Sequence, residues 1–423
     1  MHLPDGGVAA MEKTDLPAIP LDKGLRDLGE LEALVGRKFV AQTAALYRSR
    51  LRTASNEVQQ LIVIADLHPL AAQFDEYLSI ENSAQAGRPI EASPSLTQLA
   101  ADVQNLLAFR AEWDDGPSGS RRKYLVRRLK TAAEAMPCLY EFRIGMHFRL
   151  QGASVELRSA RKLPGCDMHV AADGIVAEVE CKHTYPWTGR KIQNPVFTRL
   201  VDALSSRLRS PRFPALVLTL ICRDKLRNED TSAICSAAVE LAITGKERSP
   251  VGEAYTLVAE FLGARPFFAD TQSLRRKIQQ VYSARPHAHI GVLSGQPRAN
   301  RTSISLVVVG YSSQPDDPVE TFFGVVDSAK HQLSGQRPGI VSVHLPEVYH
   351  GPRQFDPRWA IFQTFQKKAL QRRLQRVGLI MLTFERDESV EEDVYLAGGP
   401  ALFLHNAAAD YPLPNGFPGS QRK

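Results

Sequence analysis

Apolar residues recur at helical spacing through LRDLGELEALVGRKFVAQTAALYRSRL and again through SLTQLAADVQNLLAFRAEW, so residues 25–115 read as helical. Ser93-Pro94-Ser95 supplies the second run with its entry, and the small and polar residues from Asn82 to Pro94 read as a loop. Asp114-Asp115-Gly116-Pro117-Ser118-Gly119-Ser120 is the clearest linker. After it, Leu125, Val126 and Leu129 form the inward side of a basic helix, and MPCLYEFRIGMHFRLQG is again apolar at helical spacing after Pro137. ASVELRSA is a candidate strand. Between Gly165 and His183 the period changes to two. Cys166, Met168 and Val170 alternate with Asp167 and His169; Ile175, Ala177, Val179 and Cys181 alternate with Val176, Glu178, Glu180 and Lys182. Ala172-Asp173-Gly174 joins the two runs, which predicts a hairpin with one apolar and one charged face.

Beyond the hairpin, NPVFTRLVDALSSRLRS predicts an amphipathic helix and FPALVLTLICRD a strand buried on both faces. A helix and strand follow between Thr231 and Phe261. SISLVVVGY, DDPVETFFGVVDSAKHQL, GIVSVHL, a helix around Ile361–Arg376, GLIMLTF and Ala401–Leu404 then alternate as strand and helix, with a last strand paired onto the end. The fold class is α/β. The expected divisions are a flexible leader at 1–24, a helical accessory domain at 25–115, a core domain at 120–265, a C-terminal α/β domain or sheet extension at 266–408, and a flexible tail at 409–423. A chain of 423 residues has room for two or three such domains.

Composition narrows the classes. Hydrophobic residues at 43% and charged residues at 23% describe an ordinary globular protein. The longest apolar run, Phe213 to Cys222, is half of what a bilayer span needs, so no membrane helix is expected. The N-terminus lacks a basic start followed by an apolar core, and five widely spaced cysteines fit reduced thiols; a cytoplasmic protein is the expectation. No CxxC pair, nucleotide-binding Gly-rich loop, GxSxG elbow or HExxH motif occurs. Cys181-x-His183 offers two soft ligands, but Cys181 falls on the apolar face and reads as core packing. The net charge is +6, and it is uneven: Ser118 to Lys162 holds eleven Lys/Arg against three Glu, a net of +8. Such a window suits either a polyanion partner or a solvated helix face.

The charged face of the hairpin carries the chemistry. Asp167, Glu180 and Lys182 can lie on one face of one sheet. Two converging carboxylates repel unless a cation separates them, and hard oxygen ligands suit Mg²⁺ or Mn²⁺. A lysine two residues from the second carboxylate can orient a water or offset phosphate charge. The bland alternative is a half-exposed strand with solvated charges.

Asp followed by Glu-x-Lys on the next strand resembles the signature of the PD-(D/E)XK nuclease superfamily, and the order helix, three strands, helix, strand over residues 130–225 is that superfamily's core order. The resemblance implies a restriction-endonuclease-like αβββαβ core with a mixed sheet, preceded by the helical N-terminal region and followed by the further α/β segment. It implies a metal-dependent nuclease hydrolysing phosphodiester bonds, with DNA ahead of RNA as substrate. Asp167, Glu180 and the backbone carbonyl of Cys181 would hold Mg²⁺ or Mn²⁺, Lys182 would position the water, and Glu141 on the first core helix would support the metal. Arg121, Arg122, Lys123, Arg127, Arg128 and Lys130 would grip the nucleic-acid backbone, and Tyr124 could stack on a base or simply pack. Duplex cleavage by such folds often needs two active sites, hence a homodimer. The sequence departs from the family's pattern in having Cys166 rather than Pro before Asp167 and Cys181 at the x position, while Glu178 adds a third carboxylate whose role stays open. The alternative function is a catalytically idle nuclease-fold module that binds nucleic acid or assembles with protein partners.

Overall fold

The computed structural model describes residues 21–53, 67–85, 92–159, 165–184, 190–208, 213, 215–261, 267–270, 289–294, 301–314, 318–345, 357–371, 373–384, 401–414 and 417–418. The expected leader lies outside these residues except for 21–24, which belong to the first helix. The protein is α/β, with helices against mixed sheets. It divides into two compact units. One takes Met1–Ala45, His68–Pro186 and Val319–Lys423; the other takes Leu46–Leu67 and Trp187–Pro318.

The chain starts with helices α1 (Leu21–Val35), α2 (Arg37–Thr53), α3 (Ala71–Gln85), α4 (Pro94–Ala108), the single-turn α5 (Arg110–Trp113), α6 (Ser120–Lys130) and α7 (Ala132–Leu150). Strands β1 (Ser154–Leu157), β2 (Met168–Ala172) and β3 (Ile175–His183) follow. Ser93 caps α4 by accepting the Leu96 N–H at 3.2 Å, with Pro94 at the first helical position, where its missing donor costs nothing. Helix α7 begins at Ala132 and carries Pro137 inside it, rather than starting after the proline; Thr131 accepts the N–H groups of Glu134 and Ala135 and opens the helix earlier.

These helices do not form a separate accessory domain. Leu28, Leu31, Leu99, Val103 and Leu106 join Leu139, Phe142 and Phe148 of α7, and the sheet residues Met168, Val170, Ala177 and Val179, in one apolar core. Arg143 of α7 clasps the buried Asp102 of α4 through two hydrogen bonds of 2.8 and 2.7 Å. A polar pair of this kind cannot be left half-made in the interior, so it fixes how α4 lies on α7.

The second unit holds α8 (Asn194–Leu208), β4 (Leu216–Cys222), α9 (Thr231–Thr244), β5 (Arg248–Val251), β6 (Tyr255–Phe261), β7 (Phe267–Asp270), β8 (His289–Ser294) and β9 (Arg301–Ser312). Its sheet runs β5-β6-β4-β9-β7, with β8 also on β9. Helices α8 and α9 cover it through Phe197, Leu200, Leu204, Ile234, Cys235 and Ala238. The chain then returns to the first unit with α10 (Pro318–Lys330), β10 (Gly339–Leu345), α11 (Pro357–Leu370), β11 (Leu379–Phe384) and β12 (Ala401–His405).

The sheet of the first unit runs β1-β2-β3-β10-β11-β12. Strand β10 pairs parallel to β3, with Val341 opposite Glu180 and Val343 opposite Lys182. This corrects two expected boundaries. Residues 120–265 are not one core, because the chain leaves the hairpin's unit at Pro186, and residues 266–408 are shared between the two units. Both candidate fourth strands are mostly apolar, broken only by Thr219 in one and by Ser342 and His344 in the other, and nothing in such a run names its neighbour. One face of the sheet receives the helical core around α7, and the other receives Phe322, Phe323 and Val326 of α10 and Ile361 and Phe365 of α11.

The expected tail at 409–423 is corrected over residues 409–414 and 417–418, the remainder lying outside the described residues. Leu413 and Phe417 are buried in the core of the first unit, with Phe417 only 2% exposed. Phe417→Ala is therefore expected to destabilise the transition that unfolds this unit by about 3–5 kcal/mol in denaturant titration, where an ornamental tail would leave the midpoint unchanged.

Candidate active site

The hairpin forms as predicted. Asp173 (φ 51°) and Gly174 (φ 78°) take left-handed backbone between Ala172 and Ile175, the two-residue turn whose twist matches the strands. The last paired residues are Met168 and Val179, so the register carried one step further sets Asp167 across from Glu180. The Asp167 carboxylate accepts the Cys181 backbone N–H at 2.8 Å. Glu178 and Thr184 donate their N–H groups toward β10, so alternation turns the N–H of Cys181, and with it the carbonyl of Cys181, to the opposite side, where Asp167 lies.

Glu180 has 2% of its side chain exposed and Lys182 24%; Lys182 Nζ donates to Glu180 Oε1 at 2.6 Å. The other oxygen, Oε2 of Glu180, is buried without a hydrogen-bond partner when both carboxylates are ionised. Burial, then the charges of Glu141 and Glu180, raise the Asp167 carboxyl well above its ordinary range against the Cys181 N–H and Lys182. Burial raises Glu180 too, opposed first by Lys182, while Glu141 adds to the rise and a protonated Asp167 can donate to Glu180. The sequence-predicted Asp167, Glu180, Lys182 and Glu141 are thus brought into one electrostatic cluster that is short of positive charge.

Glu141 sits differently from its expected place on a metal. Arg128 grips it through Nη1–Oε2 at 2.8 Å and Nη2–Oε1 at 2.5 Å, and Ser159 Oγ donates to Oε2 at 2.6 Å. Both oxygens are engaged, so Glu141 acts on Asp167 and Glu180 through its field. Burial works against the charge of Arg128, but the hydrogen bonds and charge of Glu141 outweigh it and hold the guanidinium firmly protonated.

The basic helix α6 is only partly the surface it was expected to be. Arg128 is buried and committed to Glu141, which removes it from any phosphate grip. Arg121 and Arg122 are half-buried and tied to the linker: their backbone N–H groups go to Asp115, and their side chains reach Glu112 O and Asp114. Lys123, Arg127 and Lys130 are exposed, with Arg127 paired to Glu134 at 3.3 Å. Helix periodicity could not separate these roles, because the partners Asp114, Asp115 and Glu141 come from outside the helix. Arg127 and Arg128 both lie over the half-buried Tyr124 ring, at 5.2 and 5.8 Å from its centroid.

Two groupings escaped the sequence. On the helical face of the sheet, Tyr140 Oη contacts Ser342 Oγ at 2.6 Å and accepts from Thr383 Oγ1 at 3.0 Å, and Thr383 in turn meets His344 Nδ1 at 3.0 Å. His183 lies tilted against His344 at 4.9 Å between ring centroids, and burial drives both imidazoles down, to about 2 and about 3, so both are neutral. Beside the hairpin, Cys166, His169 and Glu178 converge. No helix of the described residues is long and apolar enough to cross a membrane. Comparison with protein-family models, with curated proteins and with solved structures finds no match.

If Arg128 serves the interior, Arg128→Met should lower stability by about 3–5 kcal/mol by stranding the buried Glu141, read by chemical denaturation. A loss of nucleic-acid affinity with unchanged stability would contradict that placement.

Proposed function

We propose that this protein hydrolyses phosphodiester bonds of nucleic acid, with DNA ahead of RNA, at a site built from Asp167, Glu180 and Lys182. The observation that carries the reading is Glu180: a carboxylate with a buried oxygen lacking a hydrogen-bond partner, beside a second carboxylate that burial and like charge push toward protonation. Natural interiors rarely leave a charge in that state unless a cation or a shared proton completes it. The donors fit a hard divalent ion, Mg²⁺ or Mn²⁺: the carboxylates of Asp167 and Glu180 and the carbonyl of Cys181 are all oxygens on one side of the hairpin. Bound there, the ion supplies Lewis-acid polarisation of a phosphoryl oxygen.

The chain's own residues do the rest. Lys182 sets its Nζ against Glu180 at the partly exposed edge of the site, where it can orient an attacking water and offset charge growing on the phosphate. Arg128, by neutralising Glu141, limits the negative field without occupying the site. Asp167 is held by the Cys181 N–H, so its carboxylate does not have to be ordered when substrate arrives. The exposed Lys123, Arg127 and Lys130 on α6 remain the backbone-contacting candidates.

The topology supports the same reading. Skipping the second unit, the first unit runs α7, β1, β2, β3, α10, β10. That is the helix, three strands, helix, strand order of the restriction-endonuclease-like core, with its second helix and fourth strand drawn from Pro318–Lys330 and Gly339–Leu345 instead of 194–208 and 216–222.

The test is cleavage of DNA and RNA, single- and double-stranded, with Mg²⁺ or Mn²⁺. Wild type should cut at least one of these, and Lys182→Ala and Asp167→Ala should each lose on the order of a hundredfold or more. An inert wild type would leave the idle nuclease-fold module that binds without cutting, and variants as active as wild type would take the chemistry away from Asp167 and Lys182.

A further inference from the structure

Cys166, His169 and Glu178 place a sulfur, an imidazole nitrogen and a carboxylate oxygen within 4.8 Å of one another. They come from three stretches: the bend ahead of β2, β2 itself and the body of β3. His169 and Glu178 are direct cross-strand partners, so their approach is fixed by the ladder and not by side-chain chance. Cys166 has its side chain buried against the α10 and α11 face of the sheet, outside the ladder that begins at Met168. We propose that Cys166, His169 and Glu178 form a binding site for a zinc-class divalent ion, separate from the Asp167–Glu180 pair.

The donor set selects the metal. Thiolate, imidazole and carboxylate are the ligand types of zinc, whereas Mg²⁺ avoids sulfur. Around a tetrahedral zinc, with bonds of about 2.0–2.3 Å, ligand atoms stand about 3.3–3.6 Å apart. Atoms at the 4.8 Å limit must therefore close by about 1.2–1.5 Å, which asks the buried Cys166 thiol to turn from the Met168 carbonyl, to which it donates at 3.4 Å, toward the other two ligands. The neighbours hold the other two ligands in place. Ser334 N–H donates to Glu178 Oε2 at 2.6 Å, and Glu156 Oε2 stands 3.6 Å from His169 Nδ1, leaving the second imidazole nitrogen as ligand. A carboxylate behind a ligating imidazole is the usual way of fixing its ring and tautomer. His169 and Glu156 are both half-buried, so water can take the fourth position from that side.

Arg158 and Arg337 bring positive charge toward His169. The site therefore holds a cation by donor type, and not by a negative potential that would gather any ion. As the metal–sulfur bond forms, the thiol proton leaves to solvent. The consequence is mechanical. Cys166 precedes Asp167 and Glu178 lies two residues before Glu180, so the ion ties the segment ahead of β2 to β3 at the point where the ladder ends. It positions the carboxylate pair without joining it.

The full-length chain, stripped with chelator and dialysed, is titrated with Co²⁺ and followed by absorbance. One equivalent should produce a near-ultraviolet thiolate-to-cobalt charge-transfer band, and Zn²⁺ should abolish it by displacement. Cys166→Ser should remove the band. His169→Ala, at a half-buried position where folding is expected to survive, should weaken binding at least tenfold with an unchanged circular dichroism spectrum. Asp167→Asn and Glu180→Gln should keep the band, whatever nuclease assays give. The proposal is overturned by a wild type without the band, by a band that survives in Cys166→Ser, or by one that disappears in Glu180→Gln.

Discussion

Two carboxylates share the buried end of a hairpin, and the first unit is arranged around the repulsion between them. Asp167 and Glu180 lie where the β2–β3 ladder stops, in surroundings that disfavour their charged forms. Three features offset part of that cost: the Cys181 N–H on Asp167, the Lys182 ammonium on Glu180, and Arg128, which pairs with the third carboxylate, Glu141, and weakens its field. None of them reaches Oε2 of Glu180. That residual need is what a divalent ion or a proton would satisfy, and it gives the site a reason to exist that a stable core alone does not supply.

The scaffold holds this arrangement from both flanks. Strand β10 lays the apolar residues Val341 and Val343 beside Glu180 and Lys182 in parallel register, so β3 cannot slip without turning its charges into the core. That strand arrives only after the chain has completed the whole second unit. Closing so long a loop costs little more than closing a short one, which is why the sheet can be interrupted there. On the opposite face, Arg143–Asp102 and the Tyr140–Ser342–Thr383 contacts lock α7, the helix that carries Glu141, onto the helical core and the sheet.

Much of this was legible in the residues. The change from helical to two-residue period marked the hairpin, Asp173-Gly174 marked its turn, and the parity of 178, 180 and 182 put three charges on one face. What could not be read was partnership across distance. The apolar runs 216–222 and 339–345 look alike in sequence, and only packing decides which lies on β3. Arg128 carried no mark to separate it from Arg127, because its distinction is a glutamate on the next helix. The tail looked frayed because Pro412, Pro414 and Gly416 break any period, while Leu413 and Phe417 reach the core one side chain at a time.

The central claim is that Asp167 and Glu180 are held together at a cost in stability. A carboxyl raised on folding contributes most below its unfolded value of about 4, and that contribution is lost as pH climbs through the folded value; above it the repulsion stands in full unless a cation relieves it. Thermal unfolding of wild type and of the Asp167→Asn/Glu180→Gln double variant, from pH 4 to pH 8 with and without Mg²⁺, reads this directly. The account predicts that the metal-free wild type loses ground to the variant as pH rises, and that Mg²⁺ raises the melting temperature of the wild type alone. A wild type that holds its margin at pH 8, with Mg²⁺ shifting both proteins equally, would contradict it.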